Sequence, residues 1–131
     1  MNNELIKIYL GIDWGEKRIG LALADSETKL ATPFKTVWDV KEVIKLIKDE
    51  EIDVLVVGKP NSIVNYELSI TNGEYNKFVA DLKSKINIPV ELVDERLTSK
   101  AADALAGDKK TKSSRDEIAA MIILQSYLDK L

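Results

Sequence analysis

The chain has 131 residues, 45% hydrophobic and 31% charged, with a formal net charge of −3 and a pI of about 5.1; that is enough length for one domain with a real core, and too acidic a balance for the whole surface to attract nucleic acid. It has no Cys and no His, which excludes disulfides, thiolate nucleophiles, imidazole bases, Ser-His triads and zinc sites built from those ligands. Catalysis, if any, falls to carboxylates, lysine, hydroxyls and hard, oxygen-preferring cations.

The N-terminus, Met1 to Glu4, lacks the basic and apolar regions of a signal peptide. No apolar run approaches the roughly 18 residues that span a bilayer. A cytoplasmic location without a membrane partner is expected. Residues 5–13 alternate and read as a first strand, with Ile6, Ile8, Leu10 and Ile12 facing a core and Leu5, Lys7 and Tyr9 opposite. The run ends on Asp13, and a buried, unpaired charge costs several kcal/mol, so a positive partner is expected beside it. Gly15 lies in the tight turn Trp14–Lys17. A second strand covers residues 18–25, and the polar cluster Asp25 to Thr28 turns the chain into a third, Leu30 to Thr36, which Pro33 marks as an edge strand.

Asp39 is a plausible N-cap for an amphipathic helix carrying Val40, Val43, Ile44 and Ile47. Val54 to Gly58 is an unbroken run typical of a parallel strand buried on both faces. A polar loop from Lys59 to about Leu68 follows, where such folds place ligand loops. Tyr75, Phe78, Val79, Leu82 and Ile86 mark the next helix face, and Pro89 to Val93 the fifth strand, ending at Asp94-Glu95-Arg96. Thr98 or Ser99 caps a short helix through Leu105, and Gly107 ends it. Ser114-Arg115-Asp116-Glu117 fits a capping box opening a last helix, apolar throughout from Ile118 to Leu124. The order is an α/β one, a mixed sheet with an antiparallel and a parallel half, in one domain of residues 1–131.

With the first strand central and beside Val54–Gly58, Asp13 and Glu95 follow strands that run in the same direction. If the start of the last helix lies over those strand ends, Asp116 joins them. Close carboxylates repel unless a cation neutralises them. Mg²⁺ or Mn²⁺, one ion or two, accepts such a set of oxygens, and a pair about 3.5–4 Å apart clamps the attacking and leaving oxygens of a phosphoryl displacement. Each acid alone also has a plainer role: Asp13 as an acceptor in its turn or a partner of Lys17 or Arg18, Glu95 as a partner of Arg96 or Lys100, Asp116 as a first-turn acid favoured by the helix dipole. Lys109, Lys110, Lys112 and Arg115 cluster before Asp116, and with Lys17, Arg18 and Arg96 they are the candidate phosphate contacts, the alternative being a solvated loop. The spacing of Gly11 and Gly15 is not a Walker A loop, since Gly-Lys-Ser/Thr is missing.

Leu10-Gly11-Ile12-Asp13-x-Gly15-x-Lys17-Arg18-Ile19-Gly20-x-Ala22-x-x-Asp25 resembles the opening motif of the YqgF/RuvX family, RNase H-like proteins described as Holliday junction resolvases and as the pre-16S rRNA processing nuclease. Val56-Val57-Gly58-x-Pro60, Val93 to Thr98, and Asp116-x-x-Ala119-Ala120-x-x-Ile123-Leu124-Gln125-x-Tyr127-Leu128 are similar to its later motifs, in order, over almost the whole chain. The resemblance implies an RNase H-like fold with a five-stranded mixed sheet of order 3-2-1-4-5, Asp13, Glu95 and Asp116 as the acidic triad, and a metal-dependent endonuclease acting on the 5′ end of precursor 16S rRNA. Two regions depart. Gly58 is followed by Lys59-Pro60 instead of Leu-Pro, with the next glycine only at Gly73, and the connection 107–114 is short.

Three other functions compete. A resolvase of branched DNA is expected to be a homodimer, since paired nicks need two sites, whereas an RNA nuclease can be a monomer. A non-catalytic nucleic-acid-binding module for ribosome assembly or transcription would keep the fold without the metals. An actin/Hsp70-type ATPase also uses a strand–Asp–x–Gly turn but clamps ATP between two such domains, and 131 residues supply only one.

Overall fold

The computed structural model describes residues 5–59, 70–94 and 115–131, without the side chains of residues 70–72. Five strands form one sheet: β1 (Ile8–Trp14), β2 (Ile19–Asp25), β3 (Thr32–Val37), β4 (Val54–Lys59) and β5 (Val90–Asp94), in the order β3-β2-β1-β4-β5. β1 pairs antiparallel with β2 and β2 with β3, while β4 runs parallel to both β1 and β5. The sheet is thus the expected mixed, RNase H-like one. Helices α1 (Val40–Asp49) and α2 (Ile70–Lys85) cover one face, and α3 (Arg115–Leu128) covers the other.

β1 is central and buried on both sides, which corrects the one-sided alternation expected for it. Leu10 and Ile12 join Leu21, Leu55, Val57, Val43 and Leu82 under α1 and α2. Tyr9 packs with Ala22, Val56, Ala120, Ile123 and Leu124 under α3. Ile6, expected in the core, lies before the strand and is 48% exposed. A single strand end at the sheet centre therefore serves two packed layers.

Local signals place the helices. Asp39 caps α1, its Oδ1 accepting from Glu42 N–H at 3.0 Å, and Glu42 Oε2 accepts from Trp38 N–H at 2.7 Å. α1 ends with Ile52 N–H on the Ile47 carbonyl (3.0 Å) and Glu51 N–H on that of Lys48 (3.3 Å), a Schellman pattern that puts Glu51 at φ 52°. Asp53 then ties β4 to β1: its Oδ2 accepts from Ile8 N–H and its N–H donates to the Ile8 carbonyl, both at 2.8 Å. Pro33 does sit on the edge strand, next to a bulge between Leu21 and Ala22. Gly73, the next glycine after Gly58, lies inside α2. Lys59, expected to open a loop, instead ends β4; the rest of that expected loop, to about Leu68, the short helix 101–105 and Ser114 of the capping box lie outside the described residues.

Candidate active site

Alternation along β1 decides which way Asp13 points. Trp14, one residue on, faces the α2 layer, with its ring 5.8 Å from that of Tyr75 and 6.4 Å from that of Phe78. Asp13 therefore faces α3, as Tyr9 and Gly11 do. Directly opposite Asp13 on β2 is Gly20, and opposite Gly20 on β3 is Thr36. Strands lie about 4.8 Å apart, so Asp13, Gly20 and Thr36 form a row about 10 Å long across one end of the sheet.

The first turn of α3 lies on that row. A Cβ on Gly20 would collide with the backbone carbonyl of Asp116, and it would lie 2.9 Å from the Asp116 Cβ. One position further along α3, Glu117 Oε2 accepts a hydrogen bond from Thr36 Oγ1 at 2.9 Å. Two turns on, the same close approach recurs: a Cβ on Gly11 would lie 2.7 Å from the Leu124 Cβ and 2.9 Å from the Ala120 carbonyl. Gly11, Gly20 and the alanines of β2 thus leave the backbone gap in which α3 lies, and Gly20 brings Asp116 beside Asp13. Gln125 holds the far half of the helix, its Oε1 accepting from Ala31 N–H (2.9 Å) and its Nε2 donating to the Lys29 carbonyl (3.0 Å).

The positions of Asp13 and Asp116, expected to meet, are therefore neighbours on one face of the sheet: Asp13 is half-buried, and the Asp116 side chain is 18% exposed. Arg18 Nε lies 3.0 Å from Asp116 Oδ2, its own side chain 60% exposed. The tight turn before it requires glycine, since a Cβ on Gly15 would lie 2.8 Å from the Arg18 carbonyl. Arg18, one of the two cations considered as partners of Asp13, thus balances Asp116. Lys17 and Arg115 are exposed beside the site. Glu95, Arg96, Lys109, Lys110 and Lys112 lie outside the described residues, although Val93, two positions before Glu95, is buried on the α3 face. Among the described residues no group of three metal-binding side chains assembles.

The donor set suits a hard divalent ion. Asp13 and Asp116 offer only oxygen, from fixed backbone, at the N-terminus of a 14-residue helix whose dipole favours negative charge. Gly20 and Thr36, which seat the start of α3, were not singled out from the sequence. Gly20 stood in a quoted motif, but its reason is a tertiary contact that no local pattern reveals.

A family model described as RuvX, Holliday junction resolvase, matches residues 7–130. A protein of Roseiflexus sp. (strain RS-1), named "Putative pre-16S rRNA nuclease", is 39% identical, the match covering 92% of each chain. One of the same name from Maridesulfovibrio salexigens is 37% identical over 91% of this chain and 96% of its own. In fold the chain is similar to T. thermophilus RuvC in complex with Holliday junction substrate, with a TM-score of 0.63, 14% identity, and coverage of 95% and 94%.

Proposed function

The chain belongs to the RuvX family, and from that premise we propose that it is a metal-dependent endonuclease that hydrolyses phosphodiester bonds, with the 5′ end of precursor 16S rRNA as its substrate. We place it in the cytoplasm as a single RNase H-like domain of residues 1–131. The observation that carries the site is Gly20, which pairs with Asp13 across the sheet and carries the Asp116 backbone on the same face. Glu95, which follows β5 two positions after Val93 in the sequence, is proposed as the third acid. The relatives' names support the substrate.

Asp13, Glu95 and Asp116 would hold Mg²⁺ or Mn²⁺, one ion or two, which when bound supplies the charge that activates water and stabilises the leaving oxygen. The rest falls to the chain. Its two described acids are held by a strand and a helix, so they need little reorganisation when substrate arrives. Lys17, Arg18 and Arg115, with Arg96, Lys109, Lys110 and Lys112 as proposed contacts, hold phosphates and add a salt-dependent attraction that the overall charge of −3 does not provide. Without a histidine, general-base catalysis by imidazole has no part in the reaction.

The test is cleavage of a precursor 16S rRNA 5′ leader in Mn²⁺ by wild type and Asp13→Asn. Loss of about 10²–10³-fold in rate is expected for the variant, and equal rates would remove Asp13 from the site. The family description favours a second substrate, a four-way DNA junction. Paired nicks then require a homodimer, so a protein that stays monomeric on junction DNA, by analytical ultracentrifugation, would count against that substrate.

A further inference from the structure

We propose that Arg18 is a resident cation that holds Asp116 before metal arrives and passes to a substrate phosphate afterwards, so that metal and nucleic acid bind cooperatively. The inference rests on Asp116 being a metal ligand, as proposed above.

The two partners of the ion pair are unequal. The Asp116 side chain is 18% exposed and is fixed by a backbone packed on Gly20, whereas that of Arg18 is 60% exposed on a short turn. The carboxylate is thus set in place and the guanidinium is free to swing from it. Contact is made through Nε to Oδ2 at 3.0 Å. A divalent ion held by Asp116 would meet a positive charge already beside Oδ2, and like charges that close repel. An ion pair this open to water is weak, so it yields to a divalent ion at modest cost.

Once displaced, the guanidinium has a second use beside the same carboxylate. Its planar fork matches two phosphate oxygens, and such pairs are stronger than neutral hydrogen bonds. A substrate phosphate at the site therefore draws Arg18 off Asp116 and opens that oxygen to metal, and metal in turn frees Arg18 for phosphate. The coupling is reciprocal by linkage. Until both arrive, Arg18 also offsets the charge that Asp116 places near Asp13.

Calorimetric titration of Mn²⁺ into wild type, Arg18→Ala, Arg18→Lys and Asp116→Asn, with and without a short phosphorothioate RNA, reads this directly. Without RNA, Arg18→Ala is expected to bind Mn²⁺ about two- to five-fold more tightly than wild type, the range an exposed ion pair allows. Adding RNA should tighten Mn²⁺ binding in wild type and do so less in Arg18→Ala. The lysine variant, which keeps the charge but loses the fork, should fall between them in both readings. The log-log salt slope of RNA binding should fall by about one in Arg18→Ala.

If Mn²⁺ binds wild type, is lost in Asp116→Asn, and is unchanged or weakened in a folded Arg18→Ala, the inference is overturned while the metal site stands. If wild type binds no Mn²⁺ with or without RNA, the metal site itself falls, and this inference with it.

Discussion

At Gly20 the backbones of a strand and a helix meet with no room for a side chain, and the seating of Asp116 depends on that contact. A methyl group there has to push the Asp116 carbonyl away, so Gly20→Ala should destabilise by about 2–3 kcal/mol or more, in the range of core overpacking. Gly73 is the control. A Cβ there meets nothing within 4 Å, and the residue lies within α2, so Gly73→Ala should stabilise by about 0.5–1 kcal/mol. Urea unfolding of both variants reads the difference. A Gly20→Ala protein as stable as wild type would show that α3 does not need the gap.

Asp25 gives the residue scale a pH dependence. Thr28 N–H is the main cause holding its carboxyl below the ordinary 3.8; desolvation opposes it, and the Thr28 hydroxyl and Glu27 N–H add to it. Those bonds run at 2.8, 3.2 and 2.9 Å to Oδ1 and close the turn between β2 and β3. A lowered value in the folded state means stability that is present above 3.8 and lost as pH falls through the folded value. Asp25→Ala should therefore cost about 0.5–1 kcal/mol at neutral pH, a modest figure because water reaches the turn. The gap to wild type should narrow below 3.8. Thermal unfolding across pH checks this, and a constant gap would refute it.

At the scale of elements, α3 joins the fold to the site. It is held at one end by Glu117 on Thr36 and at the other by Gln125 on Ala31 and Lys29, over a face of Ala120, Ile123 and Leu124. Leu124→Ala should cost about 2–5 kcal/mol, the range for a fully buried leucine. The end of α1 offers the opposite sign. Glu51 occupies the left-handed position of a Schellman motif at φ 52°, where glycine is the usual residue. Glu51→Gly should raise stability by up to about 1 kcal/mol. A fall in the unfolding midpoint would mean that the Glu51 side chain contributes more than its backbone costs.

Strands and helices whose cause is local were legible in the sequence. Val54–Gly58 was readable as a doubly buried strand from its unbroken apolar run, and Asp39 as a cap from the helix that follows it. β1 misled, because Tyr9 looks like an exposed alternate until its ring meets Tyr127 from α3 at 6.0 Å. The same limit applies to the site. Asp13 and Asp116 could be nominated by residue type and order, but what joins them is the absence of a side chain at Gly20, and Arg18 chose its partner across space.

For the whole molecule, a mixed five-stranded sheet, a helix fixed over its centre and a chain without His or Cys leave oxygen donors as the means of holding a metal. Among the described residues no helix is long and apolar enough to cross a membrane. The proposed function requires that Asp13, Glu95 and Asp116 share divalent metal. Its most direct test is Mn²⁺ titration of wild type beside Asp13→Asn, Glu95→Gln and Asp116→Asn, with unfolding curves to show that each is folded. Loss or severe weakening of Mn²⁺ binding in all three folded variants is the predicted result. Binding as tight as wild type in any of them would contradict it.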